Sequence, residues 1–263
     1  MNAQTISFFS RKGGTSKTTN VFLISHLFVK AGKRVLLVDS DPQGNLSTLC
    51  SVDTNRETKD GLTEVLIGTT PIDLAILKTP TENLSILAIK EDDQLLEKIL
   101  LEHNPNGNRI EGSHLKTRLK DLDSKLQQIK DRFDFILIDT NPAFGGINFN
   151  AIYASDYVVS CVLPDDLSFL SLEKIEETIE IVSSIKPVKH IGCIISLFDS
   201  RSKLDNLILQ SIKESGLNIL GIIPKAVDVK NSVGEGKMPT NKKVLGALQE
   251  ITNQILSESS KLF

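Results

Sequence analysis

Three segments carry residue types that belong together in phosphate chemistry. The first is Ser10-Arg11-Lys12-Gly13-Gly14-Thr15-Ser16-Lys17-Thr18-Thr19. A glycine-rich turn ahead of a helix lets backbone N–H groups point at a phosphate, and the helix adds its positive N-terminal end. In such a loop Lys17 would reach β- and γ-phosphate oxygens, and the Thr18 hydroxyl would ligate Mg²⁺. The strict G-x-x-x-x-G-K-[ST] pattern fails, because Arg11 and Ser16 hold its two glycine positions. What stands instead is K-G-G-x-x-K-T-T, with an additional lysine, Lys12, ahead of the glycines. The second segment, Val35-Leu-Leu-Val-Asp39-Ser-Asp41-Pro-Gln-Gly-Asn45-Leu-Ser47, carries two carboxylates at alternate positions. One of the pair faces the same crevice as the loop, and the other pairs locally. The third, Phe135-Ile-Leu-Ile-Asp139-Thr-Asn-Pro142, ends an apolar run in Asp139. That carboxylate would sit at the sheet edge where open α/β sheets bind their ligands. Alone, a Gly-Gly is usually a tight turn and a terminal Asp a turn cap. Two lysines, two threonines and a downstream Asp-ended strand together point to phosphate and a divalent cation.

These residues need a strand before the loop, a helix after it and further strands beside them. Gln4–Phe9 (QTISFF) reads as a buried strand, and 17–31 has apolar Val21, Ile24, Leu27 and Phe28 at helical spacing, closed by Gly32. Continuous apolar runs recur at 34–38, 84–89, 133–138, 157–163, 190–198 and 217–223. Helical patterns lie between them, at 91–103, 113–130, 168–184, 202–215 and 240–257. Strands apolar on both faces, alternating with helices, predict a mostly parallel sheet covered on each side. The expected fold is therefore one doubly wound α/β domain over residues 1–263. The polar stretch 104–112 (NPNGNRIEG) reads as a loop too short to link domains, and there is no internal repeat.

Composition narrows the classes further. The chain has 263 residues, 40% hydrophobic and 24% charged, which disfavours disorder and coiled coil. The longest apolar stretches fall far short of the roughly 18 residues of a membrane span. The start, MNAQTISFFSRKGG, has no basic-then-apolar export pattern. With three scattered cysteines (Cys50, Cys161, Cys193), it points to a reducing, cytoplasmic setting. None of the four histidines pairs with a cysteine at zinc-ligand spacing. The net charge of −3 requires any nucleic-acid contact to come from a local patch.

The three segments together resemble the ParA/MinD class of deviant Walker ATPases, and most closely the ParA partition ATPases. The likeness extends to 192–201 (GCIISLFDSR), Gly221-Ile-Ile-Pro224-Lys225, Gly61-Leu-Thr-Glu-Val-Leu and Asn83-Leu-Ser-Ile-Leu, and so covers nearly the whole chain. It implies a P-loop fold that binds ATP and Mg²⁺ through Lys12, Gly13, Gly14, Thr15, Ser16, Lys17, Thr18 and Thr19, with Pro224 beside the nucleotide. It implies that Asp41 positions the attacking water. Asp39 would belong to the magnesium shell and switch, and Asp139 would hold a magnesium-bound water. Lys12 would cross to the phosphates of a second subunit in a nucleotide-sandwich homodimer, a closure that excludes water. Ser16 stands where most members have glycine. If it must adopt positive φ, the cost is on the order of 1 kcal/mol or more.

The resemblance also implies slow hydrolysis stimulated by a ParB-like or other adaptor, nucleoid association through non-specific DNA binding, and a positioned cargo. That cargo would be a plasmid, a chromosomal region or a protein organelle such as a carboxysome. The segment 224–243 holds Lys225, Lys230, Lys237, Lys242 and Lys243 against Asp228 and Glu235, and Arg201 and Lys203 follow another strand end. By composition this is either a solvated loop or a DNA-contacting patch. The resemblance favours the patch, because Arg201 and Lys225 fall where ParA-like proteins place DNA-contacting residues. A MinD-like membrane ATPase is the alternative. Its terminal amphipathic helix should be basic, whereas 246–263 has one Lys against two Glu and an ordinary core-facing stripe of Leu248, Ile251 and Ile255. No membrane contact is expected.

Overall fold

In the computed structural model, residues 2–51, 60–90, 120–142, 145–165 and 167–260 are described. The predicted runs become strands β1 (Gln4–Phe9), β2 (Val35–Asp39), β4 (Leu84–Leu87), β5 (Phe135–Asp139), β6 (Tyr157–Val162), β7 (Lys189–Phe198) and β8 (Ile219–Pro224). With β3 (Ile76–Lys78) they form one sheet in the order β3-β4-β2-β5-β1-β6-β7-β8. Every neighbouring pair is parallel except β3 with β4. The edge strand β3 is three residues long and only half-buried, so it leaves no double-sided apolar signature in the sequence.

The double-sided burial of the central strands has a direct reading in β2. Val35 and Leu37 join one core with Phe22 and Phe28 of helix α1 (Lys17–Lys30). Leu36 and Val38 join the other. The short helices α2 (Asn45–Leu49), α3 (Leu62–Ile67) and α4 (Ile72–Ala75) cluster around this half of the sheet with α5 (Asp121–Gln127) and α6 (Gly146–Ala154). Within this group α2 packs into the first core through Leu46, while α3 to α6 pack into the second. Helices α7 (Ser168–Ser183), α8 (Lys203–Glu214), α9 (Val227–Gly234) and α10 (Lys242–Ser260) complete the layers.

Three helices depart from the expectation. Helix α6 is buried almost all round, so it shows no amphipathic stripe. Helix α9 lies inside the stretch read as a lysine-rich loop. Helix α5 ends at Gln127, three residues short of the predicted 130, because Ile129 and Lys130 are needed in the turn whose Lys130 carbonyl accepts from the Ala3 N–H (2.7 Å). The helix expected at 91–103, the loop at 104–112 and positions 113–119 lie outside the described residues. Strand β1 sits between β5 and β6, and chain segments depart from it to both sides of the sheet. Its C-terminal end is therefore the switch point at which a doubly wound sheet opens a ligand crevice.

Candidate functional site

The loop that leaves β1 fills that crevice. Gly14 adopts φ 77°, a region glycine enters without a Cβ clash. A Cβ built on Gly13 or Gly14 meets no atom within 4 Å, so the open side of both faces cavity rather than protein. Ser16 also lies in the left-handed region (φ 63°, ψ 19°) as the N-cap of α1, and its side chain makes no capping hydrogen bond. Gly44 caps α2 with nearly the same dihedrals (φ 62°, ψ 22°). The geometry that a glycine supplies at one helix start is thus imposed on a serine at the other.

Lys17 and Thr18, in the first turn of α1, converge on one carboxylate. Lys17 Nζ donates to Asp139 Oδ1 at 2.8 Å and to the Thr140 carbonyl, and Thr18 Oγ1 donates to Asp139 Oδ2 at 2.6 Å. Burial lowers the Lys17 pKa, but the charge and hydrogen bond of Asp139 outweigh it, so the ammonium is held above its usual range. Asp139 ends β5 in register with Asp39 of β2. Its carbonyl accepts from Ser40 N (3.0 Å) and Ser40 Oγ (2.6 Å), and Thr140 Oγ1 donates to the Phe8 carbonyl (2.8 Å). The metal-candidate carboxylate is therefore fixed from three strands.

The two aspartates on β2 and beyond it separate clearly. Asp41 lines the cavity. Asp39 is completely buried and accepts hydrogen bonds from Ser47 N (2.8 Å), Ser47 Oγ (2.7 Å) and Asp41 N (3.3 Å). Burial first, and then the Asp139 charge, raise its pKa to about 7. Asp39 thus organises the start of α2, and Asp41 is the carboxylate exposed to a ligand. The Asp41 pKa is also raised, by burial, against the Gln43 N–H and Lys17.

The cavity measures about 600 Å³ and runs over the loop from Lys12 to Thr19, bounded by Asp41, Pro142 and Val233. Gln43, Asn45 and Thr48 add amides and a hydroxyl to its wall. Pro224 does not line it; it pairs with Phe198 at the end of β8. Val233, on α9, takes the position at the cavity rim, and no local sequence signal announces it. Lys12 reaches the rim and forms an ion pair with Asp165, just beyond β6. No local pattern announces that partner, since 153 positions separate the two residues.

Among the described residues no cluster of three or more His, Cys, Asp or Glu could by itself hold a metal. Thr18, which lines the cavity, and Asp139, buried behind it, offer two oxygens 2.6 Å apart, which fits a cation sharing its shell with bound phosphate.

The basic residues divide into two groups. Arg201 and Lys225 lie together: the Lys225 N–H donates to the Phe198 carbonyl (2.9 Å), and both cations act on Asp199. Arg201 is exposed and bonds Asp199 through Nε and a terminal nitrogen, each at 3.0 Å. Those Arg201 bonds chiefly hold the Asp199 pKa down to about 2. Lys230, Lys237, Lys242 and Lys243 are exposed, but Lys237 is tied to Glu235 (2.9 Å), and the adjoining Gly236 turn approaches Leu49 at the nucleotide side. The structure joins Arg201 to Lys225 and does not join Lys237 to that pair.

Sheet order, loop position and the paired lysine and threonine on Asp139 define a nucleotide-binding protein of the P-loop fold with a deviant phosphate loop. The AAA domain family (AAA_31) matches residues 3–190. A virulence plasmid ParA family protein, pGP5-D of Chlamydia psittaci, is 31% identical over 270 residues, covering 97% of this chain and 96% of its own. The chain belongs to the ParA family. Among solved structures, the ATP complex of a McdA variant from Cyanothece superposes with a TM-score of 0.84 at 18% identity, covering 98% and 97% of the two chains. Cobyrinic acid a,c-diamide synthase of Mycobacterium smegmatis, with an ATP analogue and magnesium, does so at 0.80 and 25% identity, over 98% and 96%.

Proposed function

We propose that this chain is an ATPase that closes into a nucleotide-sandwich dimer, binds duplex DNA without sequence preference in its ATP state, and positions a cargo with an adaptor that stimulates hydrolysis. The observation that carries the reading is the convergence of Lys17 and Thr18 on Asp139 beneath a cavity walled by Asp41. Phosphoryl transfer depends mainly on positioning and charge neutralisation, and these side chains supply both. Magnesium, when bound, neutralises β- and γ-phosphate charge; Thr18 and Asp139 would hold it. Lys17 shifts its ammonium from Asp139 to the phosphate oxygens. Asp41 accepts a hydrogen bond from the attacking water and orients it. Lys12 leaves Asp165 and crosses to the partner's phosphates, adding positive charge in a site that closure has dried. Relatives and neighbours support this reading through a ParA family plasmid protein and structures with ATP, an ATP analogue and magnesium.

Arg201 and Lys225 are the DNA contacts in this reading. They point to phosphate rather than base recognition, since few aromatic residues occur around them, Phe198 lying three positions from Arg201. Dimerisation doubles the patch and makes retention nucleotide-dependent. A lipid-facing role for the last helix is disfavoured, because Val244, Leu248, Ile251 and Ile255 are spent in the core.

The test measures ATP turnover and duplex retention together. Asp41→Ala should bind ATP with little change and lose most turnover. Arg201→Ala and Lys225→Ala should keep turnover and weaken binding to every duplex equally. Affinity should fall with salt at a log–log slope of about −0.9 per phosphate contacted. Wild-type turnover in Asp41→Ala would remove its assigned role. Absence of salt-sensitive retention by the ATP-bound protein would remove the DNA reading.

A further inference from the structure

Asn20 is a buried amide in the helix that carries Lys17, yet it does not line the phosphate cavity. Its Nδ2 donates to Ser196 Oγ at 3.0 Å and approaches Cys161 Sγ at 3.6 Å. The link therefore crosses from α1 to β7. Both ends adjoin backbone in an unusual state. The Asn20 N–H donates to the carbonyl of Ser16 (2.8 Å), the left-handed N-cap. Ser196 precedes Leu197, whose φ of 58° is left-handed for a bulky residue. Pairing of β7 with β8 slips between Ile195 and Phe198, so Leu197 sits in a bulge. Immediately beyond it, the Asp199 N–H donates to Asp205 Oδ2 (2.8 Å), and Asp199 receives Arg201. The bulge thus aims the turn that carries the basic residue.

Non-glycine residues persist in the left-handed region only when surrounding bonds over-determine them. The Asn20–Ser196 hydrogen bond is such a restraint, and it is anchored to the turn that must respond when phosphate draws Lys17 from Asp139. We propose that Asn20 and Ser196 are positioning residues that transmit occupancy of the phosphate cavity to the bulge at Leu197, and so to the Asp199–Arg201 turn. When the first turn of α1 adjusts to phosphate, the restraint on Ser196 changes. Leu197 then relaxes toward extended backbone, and Arg201 is re-aimed away from Asp199. This inference rests on the nucleotide reading above, and its consequence for DNA rests on the Arg201–Lys225 reading.

Amide hydrogen exchange over 196–201 in the full chain, with and without a non-hydrolysable ATP analogue and Mg²⁺, tests the relay without requiring DNA. In wild type the analogue should change exchange there by at least threefold. Ser196→Ala and Asn20→Ala should each abolish that change, and the double variant should be no different from either alone, as for two partners in one link. Ser196→Thr, which keeps the hydroxyl, should retain it. Analogue affinity should stay within about threefold throughout. In a parallel assay, the ratio of duplex retention with analogue to retention with ADP should fall about fivefold or more in the two alanine variants. If the buried variants do not fold, Leu197→Gly decides, because glycine holds φ 58° without strain and should suppress the exchange response. An analogue response that is absent in wild type, undiminished in Ser196→Ala or Leu197→Gly, or reduced additively by the two alanines overturns the relay. Wild type that responds in exchange but retains no duplex refutes the DNA reading and leaves the relay standing.

Discussion

Ser16→Gly should make the protein more stable, although it removes a residue type favoured at helix N-caps. Ser16 is held at φ 63° and its hydroxyl makes no capping bond, so the usual advantage of serine is not realised. An L-residue in the left-handed region costs about 1–2 kcal/mol, and glycine escapes this. Against that gain, glycine is freer in the unfolded chain by about 0.4–1 kcal/mol. The net expectation is about 1 kcal/mol of added stability. At about 2.1 cal/mol/K of unfolding entropy per residue, that corresponds to a rise in Tm of about 2 °C for a chain of this length.

Two companion substitutions separate backbone strain from side-chain chemistry. Ser16→Ala keeps the Cβ and loses the hydroxyl, so it should lie within about 0.5 kcal/mol of wild type. Ser16→Val puts a branched Cβ at positive φ and should be the least stable of the set. Urea unfolding followed by circular dichroism, without nucleotide, gives the ranking Gly above Ser and Ala, and these above Val. If Ser16→Gly is no more stable than Ser16→Ala, strain at this N-cap is not the quantity that matters. If Ser16→Ala alone is strongly destabilised, the hydroxyl rather than the backbone dihedral sets stability here.

Three further outcomes are expected. Asp165→Asn should release Lys12 and lower the protein concentration at which an ATP analogue drives dimerisation, whereas Lys12→Ala should prevent dimerisation; light scattering distinguishes the two. Asp199→Asn should free Arg201 and tighten duplex binding severalfold with a steeper salt dependence, so unchanged retention would mean that Arg201 does not contact phosphate. Burial holds His190 below the ordinary imidazole range, against Glu176 and a hydrogen bond to the Gly192 backbone, and burial likewise lowers His26 against the Phe22 carbonyl. Because the unfolded chain takes up these protons first, the two histidines' contribution to stability should fall as pH drops below 6.5, opposite in sign to buried Asp39, whose raised pKa of about 7 costs stability as pH rises through that value. His190→Gln should flatten that slope in denaturation curves collected across the range.

Local patterning alone determined the frame and the chemistry of the site. Runs such as Val35–Asp39 and Phe135–Asp139 are apolar at consecutive positions because parallel strands are covered on both faces, and that signature is written in neighbouring residues. The same holds for the phosphate loop, whose lysines, glycines and threonines act through their own backbone turn. Tertiary structure decided matters that depend on residues far apart in the chain. Alternation left Asp39 and Asp41 equivalent, and only the approach of Ser47 buried the first and left the second to the cavity. Val233 rather than Pro224 reached the cavity rim because α9 folds back over the loop, a placement set by packing. Lys12 found Asp165, and Asn20 found Ser196, across separations of 153 and 176 positions. Such pairings are chosen by strand order: placing β1 beside β6, and β6 beside β7, brings the ends of distant segments to one edge, and no local periodicity records which side chains will meet there.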